Sequence, residues 1–255
     1  MMKINIISLM PEMVQQALSY GVVGKAFEEG FAQLQIVNPR EYIDTNYKAV
    51  DDKPFGGGEG MLLQGEPFLQ ALSALKSPGK VYLMSPQGVP WSHEKAKDIS
   101  SLRGSITLVC GRYEGIDQRF INQYVDEEIS LGDFVLSGGE IASIAIVDSL
   151  IRLIPGALGN ENSAPKDSFY NGLLKAPSFT RPAIWQNEEV PPVLLSGHHK
   201  NIEEWKHYFS LVITHQKKPI LIERRENLVE LKKAYEYVLS RDEKEIFACG
   251  LVKKD

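Results

Sequence analysis

The chain has 255 residues, 43% of them hydrophobic and 24% charged, with 28 Lys+Arg against 33 Asp+Glu and a formal net charge of -5. This composition excludes a disordered, collagenous or coiled-coil chain, and the length gives room for a real core, which we read as two domains. Cys110 and Cys249 stand far apart and outside any C-x-x-C pair, so neither a disulfide framework nor a thiolate metal site is indicated, and a reducing cytoplasm fits.

The opening "MMKINIISLMPEM" carries an apolar run that Pro11 and Glu12 end too early for a signal peptide. It predicts a strand over 3–8 and a helix over 12–20. A glycine run, "GGGEG" at 56–60, precedes a predicted helix over 65–75, with Glu66 and Pro67 suited to its first turn. Strands follow at 81–85, 105–111 and 126–132, separated by helices over 92–102 and 115–125. A last helix over 139–153 places Ile141, Ile144, Ala145, Asp148 and Arg152 at helical spacing, and "IPG" at 154–156 ends it. Asp148 and Arg152 interrupt this apolar stretch, so it is not expected to span a membrane. Strands alternating with helices predict an α/β domain with a mainly parallel sheet over 1–156.

Residues 157–174, rich in Asn, Ser, Gly and Pro, read as a linker. Helical patterns over 201–216 and 219–241 predict a small helical C-terminal domain over 175–255. From Ser196 onward there are 12 Lys+Arg against 10 Asp+Glu, leaving 16 against 23 in the remainder. A mildly basic end on an acidic body suits either phosphate contacts or a solvated helical surface.

Three glycine-bearing segments directly follow predicted strands: "SPQG", "CGRYEG" and "LGDFVLSGGE". In a parallel sheet such segments line the ligand crevice, and three in succession suggest one pocket. G-x-G-x-x-G and G-x-x-x-x-G-K-[ST] are both missing, so dinucleotide and nucleoside-triphosphate readings lose their main support. The stretch "SLGDFVLSGGE" offers backbone groups and the carboxylates of Asp133 and Glu140 without a cation. It suits an uncharged base or a cationic ligand better than a phosphate, and S-adenosylmethionine meets that description.

Together "VDDKPFGGGEGM", "SPQG", "LVCGRYEGID", "SLGDFVLSGGE", "IPGALGNENSAPKDSF", "TRP" and "VPPVLLSGHH" resemble the bacterial tRNA (guanine-N1)-methyltransferase family, TrmD-type, of the SPOUT class. The resemblance runs to about residue 212. It implies S-adenosylmethionine-dependent methylation of the tRNA guanosine immediately 3′ of the anticodon, a cytoplasmic homodimer with shared active sites, and a deep trefoil knot in the α/β domain. It also implies that Gly111 and Leu131, Gly132, Asp133, Phe134, Val135 and Leu136 hold the methyl donor, chiefly through backbone groups. Met84, Ser85, Pro86, Gln87, Tyr113, Glu114, Gly138 and Gly139 complete that pocket. Family activity is associated with Mg²⁺, but no acidic cluster in the sequence identifies a protein-held metal site.

Guanine N1 carries a proton at neutral pH, so methylation there needs a positioned base. The resemblance places that base at Asp167 and a partner arginine, able to offer its fork to the guanine carbonyl, at Arg152. By residue type alone, Asp167 is a solvated aspartate, Arg152 is an ion-pair partner for Asp148, and Glu114 and Asp133 are turn residues. The glycine run at 56–60 reads as an RNA-side loop or a surface loop. His198 and His199 read as RNA-facing or surface residues, and Trp205, Tyr208 and Phe209 as an RNA-stacking group or a helical core. Departures from the family pattern are Glu59, Phe134, Phe179, His198 and "KKP" at 217–219. The competing reading is an RNA-binding relative with another target base or no catalysis.

Overall fold

The structure, a computed structural model, describes residues 1–43, 49–102, 104–159, 167–223 and 228–251. Residues 160–166 of the expected linker and 224–227 of the last expected helix lie outside that set. The chain separates into two compact units, Met1–Glu161 and Asn162–Asp255.

The first unit is built on a five-stranded parallel sheet of β1 (Met2–Ile7), β2 (Ala32–Val37), β5 (Lys80–Pro90), β6 (Ser105–Cys110) and β7 (Glu127–Ser130), in the order β2-β1-β6-β5-β7. A short antiparallel pair, β3 (Asp51–Asp52) and β4 (Leu62–Leu63), lies outside it. Side chains alternate across a pleated strand, so each strand serves two layers. Ile4, Ile6, Tyr82, Met84, Ile106, Leu108 and Cys110 face one core with α1 (Pro11–Leu18), α2 (Gly21–Glu28), α4 (His93–Ser101) and α6 (Glu140–Ile151). Ile7, Val81, Leu83 and Val109 face the other, closed by α3 (Gly65–Ser73) and α5 (Gln118–Tyr124). A sheet covered on both faces buries its middle strand, and β6 is accordingly buried at every position after Ser105.

The expected parallel sheet and its four strands are present, with two additions. β2 alternates as "AQLQIV" at the sheet edge, paired only with β1, so Gln33 and Gln35 face solvent and the apolar signal is diluted. The expected helix over 12–20 ends at Leu18, and Gly21, at φ +62, restarts the chain as α2. β5 runs beyond the expected 85 because β7 pairs with both of its halves, skipping register between Met84 and Val89. Gly88 makes that possible, since a Cβ there would run into the backbone of Glu128 and Ile129.

The second unit packs α8 (His199–Lys217) against α10 (Leu228–Leu239) and α11 (Glu243–Ala248). Trp205 and Phe209 of α8 are fully buried and stack at 4.3 Å between ring centroids, so they belong to the core and not to an RNA-facing surface. Trp205 Nε1 donates to Glu245 Oε1 at 2.7 Å, tying α8 to α11. Leu174 N donates to Thr214 Oγ1 at 2.9 Å and Ser210 Oγ donates to the Leu174 carbonyl, while Leu173 and Ala176 enter the same core. The segment 173–176 is thereby packed against α8.

Replacing Trp205 by Phe keeps most of the ring but leaves Glu245 without its buried donor. We expect a loss of about 1–3 kcal/mol for the second unit, read from a chemical denaturation curve; an unchanged midpoint would show that the bond contributes nothing. Burial pushes the Cys110 thiol well above its ordinary range and the Cys249 thiol up to about 12. Both side chains should therefore resist alkylation at neutral pH and react only on unfolding, when the thiolate becomes accessible. Rapid labelling of the folded protein would contradict this.

Candidate active site

Because the strands are parallel, β5, β6 and β7 present their C-terminal ends at one edge of the sheet. The register skip inside β5 and the loops leaving β6 and β7 enclose a cavity of about 300 Å³. It is lined by Met84, Ser85, Pro86 and Gln87 from the first of these segments and by Gly111, Tyr113 and Glu114 from the second. The third contributes Leu131, Gly132, Phe134, Val135, Leu136, Gly138 and Gly139. Of the residues expected there from sequence, Asp133 alone is not brought to the cavity; it is exposed in the third loop.

Backbone contacts hold the loops together. Gly139 N donates to Gly111 O at 2.9 Å, and Arg112 and Gly138 form an antiparallel bridge. A Cβ on Gly139 would lie 2.8 Å from Cys110 Cα and 2.9 Å from Met84 Cβ, so no side chain is admitted. Ser130 Oγ accepts from Gly132 N and donates to Gly132 O, each at 3.1 Å, which closes the start of the third loop on itself. Tyr113 adopts φ +58, a left-handed conformation uncommon for an aromatic residue, and leaves its ring half-exposed at the cavity.

The segment 61–63 is strapped along the second loop by Glu114 N to Met61 O at 3.0 Å, Leu63 N to Gly115 O at 3.0 Å and Asp117 N to Leu63 O at 2.9 Å. Gly56, Gly57, Gly58 and Gly60 all have positive φ, the backbone that only glycine adopts readily. A Cβ on Gly60 would lie 2.8 Å from Glu114 Oε1, so the glycine run reaches a cavity-lining carboxylate.

Sequence reasoning passed over Ser8 and Arg112, and its reading of Glu140 as a loop carboxylate available to a cationic ligand is corrected, because that side chain is buried and tied to both. Glu140 is 1% exposed at the start of α6, and its Oε1 accepts from Ser8 Oγ at 2.8 Å and from Arg112 Nε at 3.2 Å. Arg112 is also a cavity-lining residue. The available signal was a charged residue opening an otherwise apolar helix beside a glycine pair, a position where burial demands a partner.

Neither of the two residues expected to carry the chemistry is among those that line the cavity. Arg152 is exposed at the C-cap of α6, the opposite end of that helix from Gly139, in the first unit. Asp167 belongs to the second unit, partly exposed, with Lys175 Nζ 4.0 Å from its Oδ1. His198 and His199 are exposed at the start of α8. Among the described residues, no group of three or more His, Cys, Asp or Glu is arranged to hold a metal ion, and no helix is long and apolar enough to cross a membrane.

Comparison with known proteins gives the family. Residues 2–224 match the sequence pattern described as tRNA (Guanine-1)-methyltransferase TrmD. A tRNA (guanine-N(1)-)-methyltransferase of Hahella chejuensis is 50% identical over 226 residues, covering 87% of each chain. One of Ralstonia nicotianae is 46% identical over 235 residues, 89% of each chain. One of Legionella pneumophila is 48% identical over 225 residues, 87% of this chain and 90% of the relative. With most of its length matched, including all three loops of the cavity, this chain belongs to the tRNA (guanine-N1)-methyltransferase family of the SPOUT class.

Proposed function

We propose that this chain transfers the methyl group of S-adenosylmethionine to N1 of the guanine immediately 3′ of a tRNA anticodon. The chemistry of the cavity carries the reading. Its walls combine five glycines, Gly111, Gly115, Gly132, Gly138 and Gly139, with apolar side chains, its charged lining residues among those described are Arg112, Glu114 and Glu128, and Arg112 already holds Glu140. Such a site offers hydrogen bonds to a nucleoside and carboxylates to a cation, and among the described residues no lysine lines it to gather a phosphate.

S-adenosylmethionine, when bound, supplies a methyl group activated by a sulfonium. The backbone of Gly111 and of 131–139 holds it, with Met84 to Gln87, Tyr113 and Glu114 closing the pocket. Asp133, outside the cavity, acts only through its place in the third loop. Asp167 accepts the N1 proton of guanine as N1 attacks, and Arg152 donates to the guanine carbonyl, drawing off the developing negative charge.

We assign a homodimer with shared sites. The length of α6 supports it: twelve residues separate the cavity from Arg152 by roughly 18 Å, beyond the reach of an arginine side chain. Arg152 then serves the cavity of a second copy. We also assign the SPOUT trefoil knot. In support, the chain leaves β7 at the sheet edge and returns past Met84 onto Cys110 and Gly111, while 88–90 runs against β7.

The 175–255 part is assigned to tRNA contact and 157–174 to the connection that carries Asp167; the charge shift after Ser196 supports the first. We place the protein in the cytoplasm with its tRNA and assign no side-chain site to Mg²⁺.

Labelled donor and a tRNA transcript test the reaction directly: methylation is expected with guanosine at the target and none with adenosine there. Asp167→Ala should leave donor binding intact and slow single-turnover methylation by roughly 10²–10⁴. A Cβ on Gly111 would meet only Ile116 Cγ1, at 3.8 Å, so Gly111→Val should fold and yet lose donor affinity in calorimetry. Mixing those two inactive variants, with subunit exchange verified, should restore methylation in heterodimers. No recovery would sink the shared site.

A further inference from the structure

Glu140 is the one buried carboxylate among the described residues, and nothing in the chemistry above uses it. It opens α6, where the helix dipole favours an anion. Oε1 joins two segments, Ser8 just after β1 and Arg112 in the second cavity loop. Ser8 Oγ in turn accepts from Met10 N at 2.9 Å, so its hydroxyl is committed on both sides. Oε2 is buried and has no hydrogen-bond partner.

That oxygen presses over Gly138 together with the Arg112 side chain, whose Cγ and Nε would lie 2.9 and 3.0 Å from a Cβ at that position. Arg112 and Gly138 are also the residues bridged by backbone, so the ion pair lies directly across the join between the second and third loops. A core that needed only filling would carry an apolar residue here, since burying an ion pair seldom stabilises more than leucine or methionine does. What the pair supplies is a fixed geometry.

We propose that Glu140 is a positioning residue for the methyl-donor site: by holding Arg112 against Gly138, its carboxylate sets the separation of loops 111–114 and 131–138. The inference rests on the donor-binding reading of the cavity. Glu140 touches no reacting atom; it acts through Arg112 and the glycine backbone.

The experiment titrates S-adenosylmethionine into wild type, Glu140→Gln, Arg112→Met and the double variant, with thermal unfolding of each. Steady-state constants for donor and tRNA are measured alongside. Each single variant should weaken donor binding about tenfold, with the donor KM rising in parallel, the tRNA KM unmoved, and kcat falling less than donor affinity. The double variant should be no worse than the poorer single, because both remove one interaction. A lower unfolding temperature with wild-type donor affinity in the folded protein would make Glu140 merely structural and overturn the proposal. Additive losses in the double variant would also overturn it. If Glu140→Gln does not fold, Arg112→Lys, which keeps the charge but loses the Nε donor, should still weaken donor binding; unaltered affinity there counts against the proposal. Failure of the wild type itself to bind the donor would instead remove the donor reading on which the proposal stands.

Discussion

At Gly139 the chain passes so close to the end of β6, and to Met84 within β5, that backbone meets backbone. A Cβ there would stand 2.8 Å from Cys110 Cα, and the Gly139 amide donates to Gly111 O. Everything at the cavity depends on that approach. It brings the third loop back across the sheet edge, sets Gly138 beside Arg112, and starts α6 with its N-terminus directed at the cavity. Any side chain at Gly139 would push the third loop off the second. The glycine pair "SGGE" is therefore a steric requirement as much as a feature of ligand binding.

The sheet was legible where strands are buried on both faces. Runs such as "SITLVC" and "VYLM" stand out because they are short, mostly apolar and rich in β-branched or aromatic residues. β2 was not legible, since an edge strand exposes alternate glutamines, and neither was the continuation of β5 through "SPQGVP", where pairing with β7 overrides the turn-forming Pro86 and Gly88. The cavity could be anticipated because its three loops follow strands in sequence. The Arg112–Glu140 pair could not, because its partners are 28 residues apart and their meeting depends on the path of the third loop. Asp133 shows the converse: a carboxylate inside the right loop can still face away, as a rapidly turning loop does not present every residue to one side.

The side chains that line the cavity and those that are to handle guanine differ in how they are held. Cavity residues sit at the ends of strands locked in a core, which keeps their backbone within the small tolerances that binding through N–H and C=O groups demands. Asp167 instead sits in a turn of the second unit, where Ser168 Oγ accepts from Lys175 N at 3.0 Å and Lys175 Nζ lies 4.0 Å from the Asp167 carboxylate. A base must come within hydrogen-bond reach of the proton it removes, which makes the hold on this turn part of the chemistry proposed for Asp167.

The charge distribution bears on the choice of a sulfonium as methyl donor. Residues before Ser196 carry 16 cationic against 23 acidic side chains, an excess that attracts a sulfonium and repels a polyanion. Glu114 and Glu128 place part of that negative charge at the cavity itself. Methyl transfer removes the positive charge from sulfur, so the same carboxylates that favour the substrate favour its neutral product less, and attraction weakens in the step that completes the chemistry. A phosphate-binding loop would hold substrate and product phosphate alike. A cavity lined by Glu114 and Glu128, if it holds the donor as proposed above, discriminates between them by charge, which gives a physical reason for the absence of lysine among its described lining residues.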